Sequence, residues 1–162
     1  MSSVEERLRA AGIELADGPT RLGRYVPGVR DGRTVYVSGQ TGTRDGEPVW
    51  AGVVGGSVTV EEAEQSARLA AINALTALRA VVPDLDHVRR VARTTVYICA
   101  VEGFTEHPRI ADAATAVFES AFGEAGRGAR SAIGVHTLPQ GAPVELDLIV
   151  LLEDDLGQDQ VK

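Results

Sequence analysis

The segment Val144–Leu152 constrains this chain more than any other. Along an extended backbone, Val144, Leu146, Leu148 and Val150 point one way. Glu145, Asp147, Ile149 and Leu151 point the other way. A period of two places one such face on a hydrophobic core. The opposite face is apolar enough at one end to require cover of its own. The chain is therefore expected to build a sheet with helices on one side and a partner on the other, which makes it an oligomer.

The remaining pattern supplies the rest of that sheet. Residues 88–100 are β-branched and long enough for a central strand, with Ala92, Thr94, Val96 and Ile98 alternating against Arg93, Thr95, Tyr97 and Cys99. Two β-type runs, 25–30 and 33–38, flank Asp31-Gly32, a strong hairpin signal. Asp45-Gly46 marks a second turn before a short strand near 48–50, and 51–57 reads as a Gly-rich loop. Residues 126–129 read as a loop before a strand over 130–136, which reaches Val144–Leu152 through Pro139-Gln140-Gly141.

Helices fill the gaps. Thr59 with Glu62 forms a capping-box pattern, and Ala67, Ala71, Ala74 and Leu78 share a stripe widened by Ile72 and Leu75. So many alanines imply close approach to a sheet, and Pro83 is expected to stop this helix. A second helix runs from about 108 to 122, with Thr105 as its expected cap and Gly123 as its stop. A short helix over 3–11 opens with Ser3 and Glu6, and the polar residues 154–162 read as a frayed tail. The expectation is a single domain over 1–162, of α+β class, with a mixed β-sheet and two helices on one face.

Composition narrows the function classes. The 162 residues suit one core. With 16 Lys and Arg against 23 Asp and Glu, the net charge is −7. That disfavours nucleic-acid binding, although Arg89, Arg90 and Arg93 form a local basic strip. No apolar run reaches the roughly 18 residues of a membrane span. The first residues lack the basic start and apolar block of a signal peptide. The one cysteine, Cys99, excludes an intramolecular disulfide and suits a cytoplasmic setting. His87, His107 and His136 have no metal-ligand spacing, so no metal or cofactor is expected. The glycines from 52 to 56 are not followed by a P-loop lysine.

One cation and one carboxylate carry the chemistry. Arg130 lies in Gly128-Ala129-Arg130-Ser131-Ala132-Ile133-Gly134-Val135, and Glu145 on the last strand. The two segments are expected to be adjacent strands. A cation beside a sheet needs an anionic partner. The planar fork of an arginine suits a carboxylate, so a substrate acid is one natural partner. The alternative is a structural ion pair with Glu145 or Asp147.

Tyr25-Val26-Pro27-Gly28-Val29, Val37-Ser38-Gly39-Gln40, Ala129-Arg130-Ser131 and Val144-Glu145-Leu146, in this element order, resemble the Rid (YjgF-type) family of imine deaminases. That family is also known as the endoribonuclease L-PSP family. The resemblance covers roughly residues 23–152. It implies the fold of bacterial chorismate mutase, a homotrimer with three clefts between subunits, and no cofactor. It implies that Arg130 binds a substrate carboxylate and that Glu145 positions or activates water. It also implies that Tyr25, Ser38 and Gly39 line the cleft, where Ala132 stands in place of a common cysteine. A family asparagine on the second helix has Asp112 or Thr115 nearest to it. The implied reaction is hydrolysis of 2-imino or enamine acids to 2-keto acids and ammonia, with Glu145 facing Arg130 from the same inward side. The alternatives are a non-catalytic trimeric binder of keto or amino acids, a specialised biosynthetic step and RNA cleavage.

Overall fold

In the computed structural model, which describes residues 3–20 and 23–153, two helices lie against a five-stranded mixed sheet and a third, short helix packs on one of them. The tail expected over 154–162 lies outside the described residues. The strands are β1 (Gly28–Asp31), β2 (Thr34–Thr41), β5 (Val88–Cys99), β6 (Ala129–Val135) and β7 (Val144–Leu152). They stand in the order β1-β2-β7-β5-β6. Every pairing is antiparallel except β5 with β6, which run parallel. The helix α3 (His107–Phe122) makes that crossover, as a parallel pair demands. A separate two-stranded ribbon, β3 (Thr43–Arg44) and β4 (Glu47–Pro48), closes around Asp45 and Gly46, both at positive φ.

The helix α2 (Val60–Arg79) starts at Thr59, whose hydroxyl accepts from the Glu62 N–H at 3.1 Å while the Glu62 carboxylate accepts from the Thr59 N–H at 2.8 Å. Ala63, Ala67, Ala70, Ala71 and Ala74 are fully buried, so α2 lies close on the sheet and on α3. Facing them are Val35, Val37, Val91, Val96, Ile98 and the inward side of β7. The helix α1 (Val4–Ala10) packs Val4 and Leu8 into the same core, and its Ser3–Glu6 capping box is formed. β7 alternates buried and half-buried residues along its whole length.

Several expectations are corrected. α2 ends at Arg79, with Ala80 as its cap, before Pro83 is reached. Glu106, not Thr105, occupies the cap of α3, and no side chain bonds the exposed N–H groups there. Irregularities in the β5–β7 ladder put Val91 rather than Ala92 at the inward position. The strand expected near 48–50 is the shorter β4, and Tyr25 precedes β1 instead of lying in it.

The helix-free face of the sheet is incompletely covered. Val29, Tyr36 and Ile133 lie on it at 55%, 50% and 43% exposure.

Candidate active site

A bulge in β2 creates the cleft. Val37 pairs with Leu148 and Gln40 with Leu146, so Ser38 and Gly39 together stand opposite Asp147. Two residues against one bend the strand and re-aim its side chains. The Ser38 hydroxyl donates to the Val26 carbonyl at 2.6 Å, and the Ser38 N–H donates to the Pro27 carbonyl at 3.0 Å. These bonds tie the segment holding Tyr25 to the bulge. Gln40 donates to the Ser38 carbonyl at 3.1 Å and steadies it from the other side.

Glu145 fills the space that the bulge leaves. A Cβ on Gly39 would stand 2.2 Å from Glu145 Oε1 and 3.2 Å from its carboxyl carbon. Only a residue without a side chain lets that carboxyl lie there. The resulting cleft, of about 450 Å³, is lined by Tyr25, Ser38, Gly39, Thr41, Pro139 and Glu145. Four residues named from the sequence, Tyr25, Ser38, Gly39 and Glu145, are thus brought together. Thr41 and Pro139 were missed, because one depends on the bulge and the other on the turn before β7.

The Glu145 carboxyl is half-buried and accepts no hydrogen bond from the described residues. Burial pushes its pKa up from the ordinary carboxylate range, and the Asp147 charge adds to the rise. Across the ladder, Tyr97 pairs with Glu145, and its hydroxyl donates to Asp147 Oδ2 at 2.8 Å. That bond, with burial, raises the Tyr97 phenol above its usual range.

Arg130 is elsewhere. It stands opposite Thr94 on β5, with Ala132 opposite Val96. Thr94 and Val96 are buried beneath the helices, so Arg130 and Ala132 share that side, and Ala132 packs on the core. Arg130 Nη1 donates to Asp112 Oδ1 at 2.7 Å and to Thr115 Oγ1 at 2.9 Å. Asp112 and Thr115 are three residues apart on α3, hence neighbours on one helix face. Both bonds use Nη1, so the Nε–Nη2 edge takes part in no bond with the described residues. That edge is the side-on fork that grips a carboxylate. The side chain is 24% exposed.

The expectation that the strands of Arg130 and Glu145 are adjacent, with both side chains on one inward face, is therefore corrected. β5 separates β6 from β7, because the crossover through α3 pairs β6 with β5. Two strand spacings put the backbones about 10 Å apart, and the side chains leave opposite faces. Nor does Arg130 form an ion pair with Glu145 or Asp147; its anionic partner is Asp112. Among the described residues, no group of His, Cys, Asp or Glu side chains is arranged to hold a metal ion, and no helix is long and apolar enough to cross a membrane.

Comparison with known proteins follows the same lines. Residues 5–152 match the family model described as "YjgF/chorismate_mutase-like, putative endoribonuclease". Protein TCP17 of Trypanosoma cruzi is 37% identical over 152 residues, which span 93% of this chain and 95% of that protein. A 2-iminobutanoate/2-iminopropanoate deaminase of Dermatophagoides farinae is 33% identical over 138 residues, 83% of this chain and 91% of the relative. Among solved structures, the protein Atu1372 of Agrobacterium tumefaciens superposes with a TM-score of 0.85 at 34% identity, over 93% of this chain and 92% of that one.

Proposed function

Because the chain belongs to the YjgF/chorismate mutase-like family, we propose that it hydrolyses reactive 2-imino or enamine acids to 2-keto acids and ammonia. The observation that carries this reading is the Glu145 carboxyl, seated against Gly39 in the cleft and accepting no hydrogen bond from the described residues. A half-buried carboxyl of raised pKa in a cleft is suited to moving protons near neutral pH. Relatives that carry the name of a 2-iminobutanoate/2-iminopropanoate deaminase support the same chemistry.

Each group has a task. The Nε–Nη2 edge of Arg130 grips the substrate carboxylate, while Asp112 and Thr115 hold the guanidinium in place. Tyr25 and Ser38 flank the imine. Glu145 takes a proton from water as the water oxygen bonds to the iminium carbon, forming a carbinolamine. Glu145 then returns the proton to the nitrogen, the C–N bond breaks, and ammonia departs. The hydroxyl proton goes to solvent and leaves the 2-keto acid. The fold supplies orientation and one proton carrier, which is enough for a substrate already reactive toward water.

Arg130 and Glu145 reach one small substrate only if they come from different subunits. The site is accordingly read as a cleft between copies in a homotrimer, with the apolar sheet face turned toward a neighbour. Reactive imines and the single Cys99 suit a cytoplasmic setting.

The test is release of ammonia and keto acid from imines generated by an amino-acid oxidase, with semicarbazide as competing trap. The wild-type protein is expected to outpace the trap. Arg130→Ala is expected to lose at least about 30-fold in kcat/KM, the equivalent of about 2 kcal/mol for a truncated charge pair. No acceleration by the folded wild type across several side chains would favour the binding-protein reading.

A further inference from the structure

Three polar side chains meet on the helix-free face of the sheet, and only one of them has been given a task. Glu145 and Asp147 alternate on β7 and so share that face, one ladder step apart. Tyr97 on β5 is the cross-strand partner of Glu145, yet its hydroxyl reaches diagonally to Asp147 Oδ2 at 2.8 Å. A diagonal cross-strand contact lies within reach of a tyrosine side chain. It fixes the position of the Asp147 carboxylate on the sheet. On the β2 side, the bulge sets Ser38 and Gly39 against Asp147, and Gly39, lacking a side chain, leaves room for the Glu145 carboxyl beside it.

We infer that Asp147, held by the Tyr97 hydroxyl, is a positioning residue for Glu145: its fixed negative charge sets how tightly Glu145 keeps the proton it shuttles. The inference rests on the reading of Glu145 as the proton carrier of the cleft. Two like charges on one strand face disfavour joint ionisation, and the effect grows as water is excluded. Burial raises the Glu145 carboxyl most, and the Asp147 charge adds to the rise.

The other titratable or charged groups that face this pair are few. β5 contributes Arg93 and Cys99, β2 contributes Tyr36, and the segment before β1 contributes Tyr25. β6 brings Ala129, Ser131, Ile133 and Val135 to this side, none of them charged, and Ser131 accepts from Arg93 at 3.1 Å. Arg93, the β5 cation on this face, is thus engaged toward β6. Asp147 is the charge that acts on Glu145.

The experiment is a carbon-13 NMR titration of the Glu145 side-chain carboxyl in the full-length protein, with kcat/KM followed over the same pH range. Asp147→Asn keeps an oxygen acceptor for Tyr97 and removes the charge. It is expected to lower the Glu145 midpoint by about one pH unit. Where turnover is present, the acid limb of kcat/KM moves down with it. Tyr97→Phe frees the Asp147 carboxylate to turn away and is expected to shift the midpoint the same way by less. A Glu145 midpoint unmoved by Asp147→Asn in a folded protein overturns the inference. A midpoint that moves in a protein without deaminase activity upholds the coupling and overturns only the proposed reaction.

Discussion

Gly39 is where the demands of backbone and site coincide. Its neighbour is the far end of a flexible side chain, so Gly39→Ala displaces the Glu145 carboxyl and leaves the ladder intact. A misplacement of about 1 Å is enough to cost on the order of a hundredfold in kcat. The expected outcome is that loss in the trap assay with an unchanged near-ultraviolet dichroism spectrum. Retained turnover would show that Glu145 need not sit against Gly39. Tyr25, Ser38, Gly39 and Glu145 were all legible in the sequence through their short motifs. Why Gly39 must be glycine was not legible, since the reason is a carboxyl more than a hundred residues further along the chain. The anchoring of Arg130 was half legible. Asp112 and Thr115 stood near the right place on the second helix, but their bonds to Arg130 exist only once the crossover lays α3 over β6.

Periodicity and capping carried most of the information about the elements. The alternation in β7 and the capping boxes of α1 and α2 are present as the residues implied. Thr59→Ala removes one partner of the α2 box and is expected to cost about 1 kcal/mol. Urea unfolding would read this as a lower midpoint with an unchanged slope; an unshifted midpoint would show the box to be idle. The α3 cap was misplaced because Pro108 sits in the first turn, and the helix begins at His107 with Glu106 before it. Ladder irregularities were invisible too. In β5 they swap Val91 for Ala92 at the core, and in β2 they make the cleft. A bulge is a property of two strands, and a single strand read alone does not announce it.

Strand order was the feature least accessible from the sequence for the molecule as a whole. Two final strands joined by a short turn look like neighbours, yet β5 lies between them. That placement separates Arg130 from Glu145 within one chain and makes the proposed site a property of the assembly. Subunit mixing tests this directly. Arg130→Ala and Glu145→Gln proteins, each inactive alone, are unfolded together in equal amounts and refolded. Random association into shared sites is expected to restore about one quarter of wild-type activity, since both intact residues meet by chance at that frequency. No recovery would mean that each subunit works with its own pair.

The position of β7 also governs how the chain comes together in time. Among the described residues β7 follows every other strand, yet it occupies the middle of the sheet and bonds to β2 on one side and β5 on the other. Until it is in place, the β1–β2 hairpin and the β5–α3–β6 unit are two half-sheets, each with an open inner edge. Folding must therefore wait for contacts between distant parts of the chain, the kind that slow the search most. During synthesis the exposed edges persist until residues 144–152 emerge from the ribosome. A chain that stalls shortly before that point offers two unpaired edges to its neighbours, so the danger for this fold lies in the interval before β7 is made.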